Sequence, residues 1–184
     1  ALLTASAVAA VTVLGTGTPA AQAAEAEYEI YPKPHEISYE EDSWILKNEV
    51  NVVYEDGIDE AAQDRLDEVF ALKDGITVSE SDEIVEGKTN VLVGIDGSDG
   101  YVDRYAEENV GISTDGLFDK LDSYVLDSKE DVITVLGADT DASFYGLTTL
   151  YHIVKQMDSQ TIRSFHIEDW ADVASRGFIE GYYG

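Results

Sequence analysis

Between residues 59 and 73 the apolar positions Ala62, Leu66, Val69 and Phe70 recur at three- and four-residue intervals, the spacing that gathers them on one helical face. Asp59 stands where an N-cap oxygen can accept from the first turn, and Gly75 lies just past the far end, so the pattern predicts an amphipathic helix. A longer stripe of Phe144, Leu147, Tyr151, Val154 and Met157, with Leu150 at its edge, predicts a helix over residues 141–157. Gly146 inside it costs about 1 kcal/mol relative to Ala, which points to a neighbouring element in close approach. Residues 99–109 carry a weaker helical pattern.

Elsewhere the period is two. Residues 36–41 and 44–54 alternate, which predicts a strand pair with Asn48 and Glu49 as its turn. Residues 76–79 and 91–95 are short runs with β-branched side chains and read as buried strands. Residues 123–126 and 132–136 form a predicted hairpin around Ser128, Lys129, Glu130 and Asp131. Residues 161–167 alternate as a strand, 168–175 connect, and 177–182 have the apolar and aromatic content of a last strand. Ahead of all these, Pro32 and Pro34 forbid helix and make residues 30–34 an extended lead-in. Helices interspersed among strands, several of them hairpin-connected, give the fold class as α/β, a mixed sheet in a two-layer sandwich rather than a doubly wound parallel fold.

Charge divides the chain. The first 24 residues have no charged side chain, while the whole sequence has 11 basic and 38 acidic residues and a formal net charge of -27. Residues 1–14 read as the apolar core of a secretory signal, residues 15–19 as its breaker, and Ala21-Gln22-Ala23 as a cleavage site of small residues. A membrane anchor fits less well, because Gly15, Gly17 and Pro19 cut the apolar run short of the roughly 20 residues a bilayer span needs. The expected organisation is a signal remnant at 1–24, a linker at 25–29, an α/β domain at 30–173 and the start of a further domain at 174–184. With the signal removed, the expectation is a secreted protein free of the membrane. The absence of cysteine rules out a disulfide framework and a thiolate metal site, so the exported location rests on the leader alone. So few basic side chains make nucleic acid a poor partner, since neutralising phosphates takes clustered Lys and Arg. The acid excess reads as a solvated, self-repelling surface.

The chemistry-bearing segment is Arg176-Gly177-Phe178-Ile179-Glu180-Gly181-Tyr182-Tyr183-Gly184. Gly181 and Gly184 permit a close approach that a side chain would block, and the tyrosines offer flat faces and hydroxyls suited to a sugar ring. A glycine-rich strand end with half-buried tyrosines accounts for the same residues. The run resembles the first barrel strand of glycoside hydrolase family 84, where R-G-x-x-E-G-[FY]-Y-G opens the catalytic domain. The upstream Tyr31-Pro32-Lys33-Pro34, Val91-Leu92-Val93-Gly94 and Tyr145-Gly146-Leu147-Thr148-Thr149-Leu150 resemble the accessory domain that precedes the barrel in families 84 and 20. Family 20 is separated by its R-G-x-x-x-D-x-x-R strand, in place of which this chain has Glu180-Gly181-Tyr182-Tyr183.

That resemblance, which spans residues 30–184, implies the front part of an exported β-N-acetylglucosaminidase acting on glycans or glycoproteins by substrate-assisted retaining hydrolysis. It places Gly181 and Tyr183 at the rim of the sugar pocket, at the carboxy-terminal end of the first barrel strand. It assigns no catalytic residue to this chain, Glu180 included, because the family's adjacent aspartate pair stands on a later strand. The chain alone is therefore expected to be inactive, with no cofactor and no metal, and its domain is expected to pack on its own barrel. The alternative is a non-catalytic secreted module that binds carbohydrate or serves as a scaffold. Asp96-Gly97-Ser98-Asp99-Gly100 with Asp103 misses the calcium-loop spacing and reads as a turn capping the next helix. His35, His152 and His166 lack metal-ligand spacing. Trp44 and Trp170 read as core or interface, with Trp170 the candidate plug of a joint between domains.

Overall fold

The computed structural model describes residues 27–174. The signal-like stretch, and residues 175–184 with Gly181 and Tyr183 among them, lie outside the described residues. Seven strands form one mixed sheet: β1 (Glu36–Ile45), β2 (Glu49–Tyr54), β3 (Thr77–Glu80), β4 (Thr89–Ile95), β5 (Tyr124–Lys129), β6 (Val132–Gly137) and β7 (Thr161–Asp169), in spatial order β1-β7-β5-β6-β4-β2-β3. β3, β2, β4 and β6 run parallel, while β5 pairs antiparallel with β6 and β7, and β1 antiparallel with β7. Helices α1 (Glu60–Ala71) and α3 (Thr140–Gln156) cover one face together with the body of the core; α2 (Tyr101–Asn109) and a 3-10 turn at Leu117–Asp119 cover part of the other.

The two-residue period decides which face each side chain joins. Val50, Val52, Val91, Val93 and Val135 point toward α1 and α3, whereas Val53, Leu92, Val125 and Leu136 point toward Val102, Ala106 and Val110. β4 is consequently buried on both faces, and after the buried polar pair Thr89 and Asn90 it is apolar, as suits a central parallel strand.

Helix α1 begins as its sequence predicts, while α3 begins at Thr140 behind an Asp139 cap that its apolar stripe did not reveal. The Asp59 carboxylate accepts from Ala62 N at 2.9 Å and the Asp139 carboxylate from Ala142 N at 2.8 Å. A Cβ on Gly146 would lie 2.7 Å from Val135 Cγ1 and 3.1 Å from the Tyr124 ring, so the glycine lets α3 sit directly on β5 and β6.

Four local expectations are corrected. Residues 36–54 are not a strand pair: β1 runs unbroken to Ile45, the break falls at residues 46–48, and four strands separate β1 from β2 in the sheet. β1 lies against β7 instead, and there the Tyr28 ring packs against both Tyr39 and Phe165. β3 is an exposed edge rather than a buried strand, with Val78 partly in solvent. The buried stripe of α3 is turned toward Gly146, Leu147, Leu150, Ile153 and Val154, since Phe144 and Tyr151 lean outward over the Arg65 guanidinium of α1. Finally, α2 has no side-chain cap from its own loop: its N-cap is Gly100, and Glu55, buried at the end of β2, accepts from Asp103 N and Ile95 N. Asp103 turns back instead to accept from Gly97 N and Asp99 N.

Candidate functional site

The lead-in, the edge of α3 and the segment leaving β7 enclose a groove of about 420 Å³. Tyr31 and Lys33 come from the lead-in, Tyr145, Thr148 and His152 from one side of α3, and Trp170 to Ala174 from the chain exit. Tyr31, Tyr145 and Val173 are exposed apolar side chains there, although the surface as a whole is strongly acidic. The lead-in is held in place by the Gln156 side chain, whose Oε1 accepts from Glu29 N at 2.7 Å and whose Nε2 donates to Glu29 O at 2.8 Å.

The exit is tied to three elements. His35 Nδ1 lies 2.7 Å from Asp169 Oδ1, its Nε2 lies 3.1 Å from Asp172 Oδ1, and its ring stacks on Trp170 with centroids 3.9 Å apart. The Lys120 ammonium also sits over the indole, 4.9 Å from the ring centroid, and Ala171 N donates to Leu121 O at 2.8 Å. Asp169 Oδ2 accepts from the Tyr124 hydroxyl, which also bonds Thr149 of α3. Hydrogen bonding to Asp169 raises the His35 pKa above its ordinary value against a smaller opposing effect of burial, with Asp172 adding to the rise. Burial pushes the Tyr124 phenol up as well, so it stays protonated and donating.

A second histidine is placed in the same way. His166 Nδ1 and Nε2 each lie 2.9 Å from a carboxylate, of Asp127 and Glu168. Burial lowers the His166 pKa, but the two hydrogen bonds and charges outweigh it and the net shift is upward. Glu168 is fully buried; desolvation opposes its charge, yet His166 and the backbone N–H groups of Ser113 and Thr114 hold its pKa down to about 2. This triad pins the loop after α2.

Of the residues singled out in the sequence, Trp170 lies in the groove and Trp44 is buried, donating its indole N–H to Ser128 Oγ at 3.2 Å. His35 and His166 were not legible as bridges: His166 and Glu168 share a strand face two residues apart, but their partner Asp127 comes from β5 through the sheet register. Among the described residues, no group of three or more His, Asp or Glu side chains is placed to hold a metal ion, and no helix is long and apolar enough to cross a membrane.

The profile of "Glycosyl hydrolase family 20, domain 2" matches residues 27–170. The solved structure of CpGH84D is similar with a TM-score of 0.82 and 47% sequence identity, over 86% of this chain and 26% of that one. CpGH84B gives a TM-score of 0.65 and 23% identity over 86% and 25% of the two chains. An inactive mutant of the GH20 exo-β-N-acetylglucosaminidase from Vibrio harveyi gives 0.52 and 15% over 76% and 18%. The last two share the fold. The chain spans about a quarter of the length of the two CpGH84 chains. It belongs to the glycosyl hydrolase family 20 domain 2 family, and within it is a family 84-like member.

Proposed function

We propose that this chain is the accessory domain and first barrel strand of a secreted β-N-acetylglucosaminidase, and that its groove is the seat of the catalytic barrel. The observation that carries the reading is positional. The backbone leaves β7 through Trp170 to Ala174, which form one wall of the groove, and the R-G-x-x-E-G-[FY]-Y-G run begins two residues later at Arg176. A domain built on that run starts at the groove, where Tyr31, Tyr145 and Val173 offer apolar surface to cover.

In this reading the parent enzyme removes terminal β-linked N-acetylglucosamine. The sugar's own 2-acetamido oxygen attacks the anomeric carbon, one carboxyl group of an aspartate pair protonates the leaving oxygen, and its neighbour steadies the amide. Both carboxyl groups belong to a later barrel strand. Gly181 and Tyr183 border the sugar, and residues 1–24 direct export.

The test is hydrolysis of an aryl N-acetyl-β-glucosaminide by the product of the whole reading frame. The full product is expected to hydrolyse it, and the 184-residue chain is expected to be silent. A full product without activity would overturn the enzyme reading. The aromatic and carboxylate lining of the groove also suits a bound pyranose. Micromolar binding of N-acetylglucosamine oligosaccharides to the 184-residue chain in calorimetry would favour that second, non-catalytic reading.

A further inference from the structure

Both ring nitrogens of His35 face carboxylate oxygens, at 2.7 Å and 3.1 Å. An ionised carboxylate only accepts hydrogen bonds, and a neutral imidazole donates through one nitrogen alone, so both contacts are complete only when the ring carries two protons. We propose that His35 is a proton-operated clasp: it pins the segment from Trp170 to Asp172 to the body of the domain in acid, and it releases the Asp172 end when the ring loses its second proton.

The geometry decides which end is released. Asp169 Oδ1 also accepts from His35 backbone N–H at 3.2 Å and its Oδ2 from the Tyr124 hydroxyl, so that carboxylate keeps partners in either state. Asp172 is 77% exposed and has water to turn to. Deprotonation also removes the cationic face that His35 offers the Trp170 indole, leaving the Lys120 ammonium as its cation. The other charged or titratable groups about the clasp are Lys33 on the lead-in, Asp122 before β5 and His152 on α3, all lining the same groove. The upward shift of the His35 pKa agrees in sign with a clasp closed below that value and open above it.

One consequence rests on the function proposed above: a domain following the exit is held in a fixed orientation in acid and more loosely above neutrality. The clasp itself does not depend on that reading and is tested on the 184-residue chain. Nitrogen–proton correlation spectra from pH 4.5 to 8.5 are expected to show the Trp170 indole signal and the amides of residues 171–174 moving through one transition with the His35 ring, at a midpoint above 6.5. Clipping of the exit by a nonspecific protease should rise several-fold across the same transition. His35→Gln should abolish the transition, His152→Gln should leave it, and the exposed Asp172→Asn, which does not threaten folding, should lower its midpoint. Exit amides that do not follow His35, or a transition that survives His35→Gln, would overturn the clasp. An inactive full-length enzyme would overturn only the function.

Discussion

The Glu168 carboxylate, sealed at the end of β7, lies 2.9 Å from Nε2 of His166 two residues earlier on the same strand. Each holds the other in its charged form, and the signs of their shifts define a pH window. Glu168 has a depressed pKa, so its contribution is present above the unfolded value of about 4.3 and is lost as pH falls toward 2. His166 has a raised pKa, so its contribution is complete below about 6.5 and is lost as pH rises through the folded value. Urea denaturation is expected to give maximal stability between about pH 4.5 and 6.5. Glu168→Gln should remove about 2–3 kcal/mol at pH 5.5 by leaving Ser113 and Thr114 short of an ionic acceptor. A stability flat from pH 3 to 8 would refute the assignment.

Glu55 and Gly100 make a second prediction. A Cβ at Gly100 would lie 1.8 Å from Glu55 Oε1, and moving that carboxylate would strip Ile95 N and Asp103 N of their acceptor. Gly100→Ala should therefore cost about 2–4 kcal/mol. Gly111→Ala, where nothing stands within 4 Å, should change stability by no more than about 0.5 kcal/mol. Equal costs in thermal denaturation would show that the Glu55 brace is not what holds α2.

Tyr145 tests the groove as a seat. It is exposed on α3 and contributes nothing to the core. Tyr145→Lys should leave the melting temperature of the 184-residue chain unchanged while lowering that of the full-length protein by several degrees, since a charge would then be buried at the joint. Equal melting temperatures for full-length wild type and variant would place the joint elsewhere.

The proposed sugar contact gives a kinetic test. In the full-length enzyme Tyr183→Ala should lower kcat/KM for an aryl N-acetylglucosaminide by about 10- to 100-fold. An unchanged ratio would remove Tyr183 from the pocket.

What could be read in advance followed the range of the interaction. The caps at Asp59 and the close approach at Gly146 were legible because each depends on residues within one helix or on the missing side chain itself. The α/β class and the mixed sheet followed from periodicity. The partner of β1 was not legible, because β1 and β7 meet across more than a hundred residues. A like distance hid the His35 bridge: Asp169 and Asp172 flank Trp170 in the sequence, but nothing local tells them that His35 will arrive between them; the His166 bridge was hidden by the β5–β7 register that brings up Asp127. The Glu55 brace was not legible because the acidic pair Glu55-Asp56 before Gly57 reads as a solvent-facing turn.

The proposed support of a following catalytic barrel by this domain can be tested whole. The most direct measurement compares the full-length protein with one beginning at Ser175, by solubility, melting temperature and aryl N-acetylglucosaminide hydrolysis. The shortened protein is expected to aggregate, or to melt several degrees lower with diminished activity, because the surface that covers the groove is left bare. A shortened protein that is soluble, equally stable and fully active would contradict it.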